Sequence, residues 1–288
     1  MRLFWGQARV FTRSAFALPW ALVLAPCITA AFSLQARAED TATSPQYSWR
    51  EMWGGADATK DVWLLYTGVT LAPLSKDIYS DRLRLRLTSG YGQYSAIGNA
   101  TTCVVKHGEI NSCSNATASK AKREKVSVTY TDVLVGYHKQ MGPLTAKAFI
   151  GASMISHDAP PNGFNNKLLG RDFGATGGLE FWWNINEQSW TSLDLSYTMA
   201  HDTGAARWRL GWRALPTLSV GPEVRFDRNA LAGSARLGAF ARYEWFGGEI
   251  SAAAGISKSL CDSWNNDTCI SASDDLAPYA NINYLTQF

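Results

Sequence analysis

The sequence predicts an all-β fold, an antiparallel up-and-down transmembrane β-barrel of about twelve strands, with ten as the alternative count. Three observations predict it. Apolar and polar residues alternate with period two along most of the chain. The connections between these stretches alternate short and long. The chain opens on an export signal and closes on an alternating segment whose last residue is Phe288.

The leader comes first. Arg2, Arg9 and Arg13 precede the apolar run Phe16–Phe32, and Ala36-Arg37-Ala38 supplies a small-residue cleavage site. Pro19 and Pro26 suit a cleaved leader better than a membrane helix. A lipoprotein box at Leu24–Cys27 is the rival, with Pro26 a poor fit before the cysteine. The expected organisation is a signal peptide over 1–38, a periplasmic segment over 39–46 and the barrel over 47–288. Cleavage keeps all 24 acidic residues but only 23 of the 27 basic ones, a balance of about −1. That balance argues against nucleic acid as a partner, which needs a clustered basic excess. No later stretch holds eighteen consecutive apolar residues, so no transmembrane helix is expected.

The strands follow in order. Side chains on a strand point alternately to opposite faces. Leu83, Leu85 and Leu87 alternate with Arg82, Arg84 and Arg86. Phe173, Ala175, Leu179, Phe181 and Trp183 alternate with Asp172, Gly174, Thr176, Glu180 and Trp182. Leu193, Leu195 and Tyr197 alternate with Asp194, Ser196 and Thr198. Trp208, Leu210 and Trp212 alternate with Arg207, Arg209 and Arg213. Val224 and Phe226 alternate with Glu223, Arg225 and Asp227, and Leu237, Ala241 and Tyr243 with Arg236 and Arg242. No helical period fits these stretches.

Eleven strands are clear, roughly 61–72, 82–95, 124–138, 144–156, 171–185, 189–200, 206–215, 218–227, 234–245, 249–260 and 276–288. Direction supplies a twelfth. The strand ending at the Pro73–Asp81 turn descends to the periplasm, so an ascending strand precedes it. Tyr47–Ala56 fills that place, with Asp57–Lys60 as a tight outer loop. Both termini are then periplasmic. The short turns lie on the periplasmic side and the long loops, Ala96–Arg123 among them, outside. A soluble sandwich or lipocalin-like barrel also alternates. It buries Leu, Ile and Val and exposes charge, whereas here the polar face pairs Arg with Glu and Asp, and the apolar face carries Trp and Tyr near strand ends.

With the apolar face toward lipid, the lumen receives Arg82, Arg84, Arg86, Lys147, Asp172, Glu180, Asp194, Arg207, Arg209, Arg213, Glu223, Arg225, Asp227, Arg236, Arg242 and Glu244. Such a set either selects solutes in an open conduit or satisfies itself and fills the interior. Trp182 and Trp190 share the lumen face near a periplasmic turn. They are candidate glycan-stacking residues, against the plainer reading of turn packing. Cys103 with Cys113 and Cys261 with Cys269 are the disulfide pairs favoured by closeness in sequence, among three connectivities. Neither pair has zinc-ligand spacing, so no metal or other cofactor is expected. Catalysis is not expected either. Ser153 and His157 share a face but stand roughly 13 Å apart along a strand, too far for a direct nucleophile–base bond.

The order of short motifs along the chain resembles the bacterial cellulose biosynthesis protein BcsS family. The pieces are Trp53-Gly-Gly-Ala-Asp57, Gly68 through Ala72-Pro73, and Arg84-Leu-Arg86 leading to Gly90-Tyr91-Gly92-Gln93-Tyr94. They continue with Gly136-Tyr137, Gly142-Pro143-Leu144, Phe149-Ile-Gly151, Gly221-Pro222-Glu223 and Arg236-Leu237-Gly238. The resemblance implies a protein of the bacterial outer membrane associated with cellulose biosynthesis and export, with lipid, cellulose or cello-oligosaccharide, and the secretion machinery as partners. A general porin or small-solute channel is the alternative, and a plugged structural anchor a third. The resemblance supplies no catalytic residue.

Overall fold

A computed structural model of the protein describes residues 48–106, 109–115, 122–159, 164–165, 169–230, 233–260 and 276–288. The expected leader 1–38, the segment 39–46, Tyr47, and Cys261 with Cys269 lie outside these residues.

The strands are β1 Arg50–Thr59, β2 Val62–Leu71, β3 Leu83–Lys106, β4 Glu109–Asn115, β5 Lys122–Met141, β6 Leu144–Asp158 and β7 Phe164–Asn165. They continue with β8 Gly170–Asn184, β9 Ser189–Thr198, β10 Thr203–Leu215, β11 Leu218–Arg228, β12 Gly233–Trp245, β13 Gly248–Leu260 and β14 Ala277–Gln287. Twelve of them form one closed antiparallel wall. Each pairs with the next in that wall, and β1 pairs with β14 from Glu51↔Gln287 to Thr59↔Tyr279 to close it. The two others, β4 and β7, pair with the outer part of β3 and stand off the wall.

Closure leaves no free edge in the wall, which is the condition for a backbone to cross hydrocarbon with every polar group paired. No helix among the described residues is long and apolar enough to cross a membrane. Followed once round the wall, the register returns displaced by about 14 residues, the stagger that tilts strands in a closed barrel.

The two-residue rhythm becomes the two faces of this wall. Leu85, Leu87, Val133, Ile150, Phe173, Leu179, Tyr197, Trp208, Trp212, Phe226, Leu237, Tyr243 and Ile282 are exposed on the outside. Ile150 reaches 67% exposure while Arg84 and Glu223 show 1% each. An aqueous globule would invert that order. The protein is therefore a transmembrane β-barrel, apolar outside and ionised within.

Short turns close one end. Gly142 turns β5 into β6 at φ +59°, a left-handed conformation open to glycine at little cost. Longer excursions leave the other end. β3 and β5 stay paired out to Gly98↔Lys122, a few residues past the 82–95 and 124–138 strands the alternation predicts. β1 also runs past its expected end, so Asp57 is a wall residue and not part of an outer loop. Both differences have one cause. Polar residues weaken the alternation beyond the apolar band, yet ladder hydrogen bonds continue there.

Candidate functional site

The lumen is built by parity. On each strand one set of alternate residues faces inward, and the tilt turns the register into a spiral. Successive partners place Lys147, Glu180, Asp194, Arg207, Arg225 and Arg236 in one row across β6, β8, β9, β10, β11 and β12. The row climbs from the short-turn end toward the long-loop end.

Its charges run one cation, two anions, three cations. Like charges directly opposite repel, so wall neighbours alone cannot balance the row. Counter-charges come partly from across the lumen. Arg86 of β3 pairs with Glu180 of β8, three places along the wall, and Lys147 Nζ stands 3.6 Å from the same carboxylate. Arg207 Nη2 meets Asp194 at 2.9 Å. Asp57 of β1 pairs with Arg225 of β11, four places away, and with Arg236 Nη1 at 2.6 Å. Asp227 adds to both arginines, at 2.8 Å from Arg225 Nη2 and 3.5 Å from Arg236 Nε. These chords tie opposite parts of the wall together.

Glu223 accepts from Asn281 Nδ2 at 3.3 Å and from the Tyr279 hydroxyl at 3.4 Å. The Tyr66 hydroxyl donates to Asn283 Oδ1, and Thr88 Oγ1 donates to Asp132 at 2.6 Å. The long-loop side carries a third cluster, in which His157 Nδ1 pairs with the Tyr94 hydroxyl at 3.0 Å and its ring meets His201 edge-on. Ser153 Oγ is buried without a hydrogen-bond partner, so it is not joined to His157.

Toward the short-turn end the interior turns aromatic. Trp182 stacks on Trp190 with centroids 3.9 Å apart, and Phe240 of β12 packs on Trp190 at 5.4 Å. Trp190 is fully buried and its indole N–H donates to Ser219 Oγ at 3.1 Å. Gly211 makes room for it, since a Cβ there would fall 2.2 Å from the indole. Arg209 sits 5.8 Å from the Trp190 ring and 5.5 Å from Phe240, and Arg242 lies 4.4 Å from Trp182. Cations gain from aromatic faces at such distances. Arg242 also pairs with Glu249 and, at 2.9 Å, with Glu244.

Most of the remaining expected lumen residues lie at the short-turn end itself. Arg84 donates to the carbonyls of Ile78, Ser80, Arg82 and Leu83 and lies 3.1 Å from His138 Nδ1. It thereby clamps segment 72–82, whose Ile78 is buried. Arg213 holds the turn after β8 through Asn184 Oδ1 at 2.7 Å and the Glu187 carbonyl at 3.0 Å. Arg82 is exposed at the rim. Asp172, near the other end, accepts from the His201 amide at 2.9 Å.

Sequence reasoning missed Asp57, Glu51, Phe240, Glu249 and Asn281 as interior residues. Continuing the alternation of Trp53 and Gly55 by one step reaches Asp57, and Ser251 back by one step reaches Glu249. Phe240 shares the parity of Arg236 and Arg242, but its apolar side chain among the apolar Ala239 and Ala241 hid it from a search for charge.

This closed, inside-charged wall defines the class, a transmembrane β-barrel. The chain belongs to the cellulose biosynthesis protein BcsS family, whose model matches residues 52–288. No curated protein matches it. Among solved structures it is similar to the KdgM porin, at 8% identity and TM-score 0.46, covering 83% of this chain and 99% of that one. It is similar to the TodX deltaS2S3 mutant monoaromatic hydrocarbon channel, at 8% identity and TM-score 0.46, covering 85% and 93%. It is also similar to the transport unit of the autotransporter AIDA-I from Escherichia coli, at 12% identity and TM-score 0.45, covering 92% and 97%.

Proposed function

We propose that the protein is a non-catalytic outer-membrane barrel of the cellulose export apparatus, closed at rest. Its long loops face outward and its short turns face the periplasm, where secretion machinery can bind. The observation that carries the closed state is the set of chords through the lumen, Asp57 to Arg225 and Arg236 on one side and Arg86 to Glu180 on the other. Buried ion pairs persist only when geometry and further hydrogen bonds offset their desolvation, and these cross the space an open pore would leave empty.

A second reading, a small-solute channel, is favoured by Glu180, Lys147, Asp194 and Arg207, whose side chains keep between 27% and 30% exposure. They leave water-sized space on one side of the lumen. Planar-bilayer recording of the mature protein separates the two. The closed reading expects no steady current above membrane leak. A stable open current without any added ligand contradicts it. We also infer that Cys103–Cys113 and Cys261–Cys269 are disulfides of the outer loops; the backbone register setting Cys103 opposite Cys113 supports the first.

A further inference from the structure

The aromatic layer near the short turns contains more hydrogen-bond donors than it uses. Arg209 Nε, Arg242 Nη1 and Ser192 Oγ are all buried without a partner. Arg209, Arg242 and Ser192 are each more than nine-tenths buried. The three are neighbours, for Ser192 is the register partner of both Trp182 and Arg209, and Arg242 lies over Trp182. Arg209 has no ion pair within 4.0 Å among the described residues, its register partner Glu223 being engaged with Asn281 and Tyr279. The acids of the layer, Glu244 and Glu249, are both committed to Arg242.

Unmet buried donors disfavour the packing that buries them. A ligand that supplies acceptors therefore favours an arrangement in which the layer has parted. The ligand must also replace the contacts that Trp182, Trp190 and Phe240 make with one another. A flat, extended chain of pyranose rings joined through equatorial β-linkages, its ring faces open and its hydroxyls at the rim, offers both. Its ring faces present C–H groups to indole, and its rim presents oxygen acceptors to guanidinium and hydroxyl donors.

We propose that Trp182, Trp190 and Phe240, with Arg209, Arg242 and Ser192, form a β-glucan binding site that also gates the periplasmic end of the lumen. The proposal rests on the closed-at-rest reading and adds to it what opens the barrel. Stacked on one another, the aromatics shut the passage. Parted by a sugar chain, they become its stacking surfaces, and the three donors gain partners.

The test uses the mature full chain in planar bilayers and in detergent, with cellohexaose as probe and maltohexaose and inorganic phosphate as comparisons. Folding of each variant is checked by heat-modifiable gel migration. Cellohexaose is expected to elicit current events and to shift tryptophan emission, with a response at least tenfold weaker for maltohexaose. W190A, which removes a stacking surface but leaves the ion-pair chords intact, is expected to stay closed without sugar and to need at least tenfold more cellohexaose. R209M, which keeps bulk and removes the donor, is expected to stay closed and to need at least tenfold more cellohexaose. A wild-type barrel that is silent with cellohexaose and unshifted in emission overturns the gate and leaves the closed reading standing. A wild-type barrel that conducts steadily before any sugar is added overturns the closed reading and the gate with it. Opening by phosphate in place of cellohexaose overturns the sugar assignment. If W190A does not fold, the R209M comparison decides, and an unchanged cellohexaose response there overturns the site.

Discussion

Asp57 is the counter-charge that reaches Arg225 and Arg236 from β1. It bonds two arginines on strands across the lumen and is itself buried. Removing one partner of a buried pair leaves the other uncompensated, at a cost of about 3–5 kcal/mol. D57N is therefore expected to lower the urea midpoint of the detergent-solubilised barrel, with Arg225 and Arg236 left short of counter-charge. An unchanged midpoint would mean the chord does not hold the wall together. At the short-turn end Asp81 behaves differently. Lys139 Nζ and the Gln140 amide each stand 2.6 Å from its carboxylate. These bonds hold the Asp81 carboxyl below its ordinary range, the Lys139 hydrogen bond contributing most. A depressed carboxylate contributes stability above its unfolded pKa and loses it as pH falls through the lower folded value. D81N should thus flatten the acid limb of the thermal midpoint below about pH 4. An acid limb identical to wild type counts against that contact.

At the scale of elements, the twelve wall strands were legible in the sequence because each carries at least one clear period-two stretch or is demanded by direction. Strand ends were less so. β3 and β5 stay paired past Ser95 and Lys125, out to Gly98 and Lys122, because ladder bonds, not side-chain polarity, carry them on. The lumen was legible as a parity, which put Glu180, Asp194, Arg207, Arg225 and Arg236 on one face. Which cation meets which anion was not, since Asp57 and Arg225 are 168 residues apart and become neighbours only when the wall closes. Nor could alternation show that Arg84 and Arg213 spend their donors on backbone carbonyls of the turns. The outward part of β3 yields its own prediction. Non-reducing gels should show a mobility shift on reduction, and C103S should remove part of it. Four thiols freely alkylated in the untreated protein would rule the loop disulfides out.

For the whole molecule, the account depends on which face meets hydrocarbon. Trp208 is on the outer face and Trp190 is buried inside, on neighbouring strands of one wall. Single-tryptophan variants retaining one or the other, reconstituted in bilayers of brominated lipid, report that placement directly. The account predicts strong quenching of Trp208 by bromine on the acyl chains and little quenching of Trp190. Equal quenching of the two, or stronger quenching of Trp190, would contradict it.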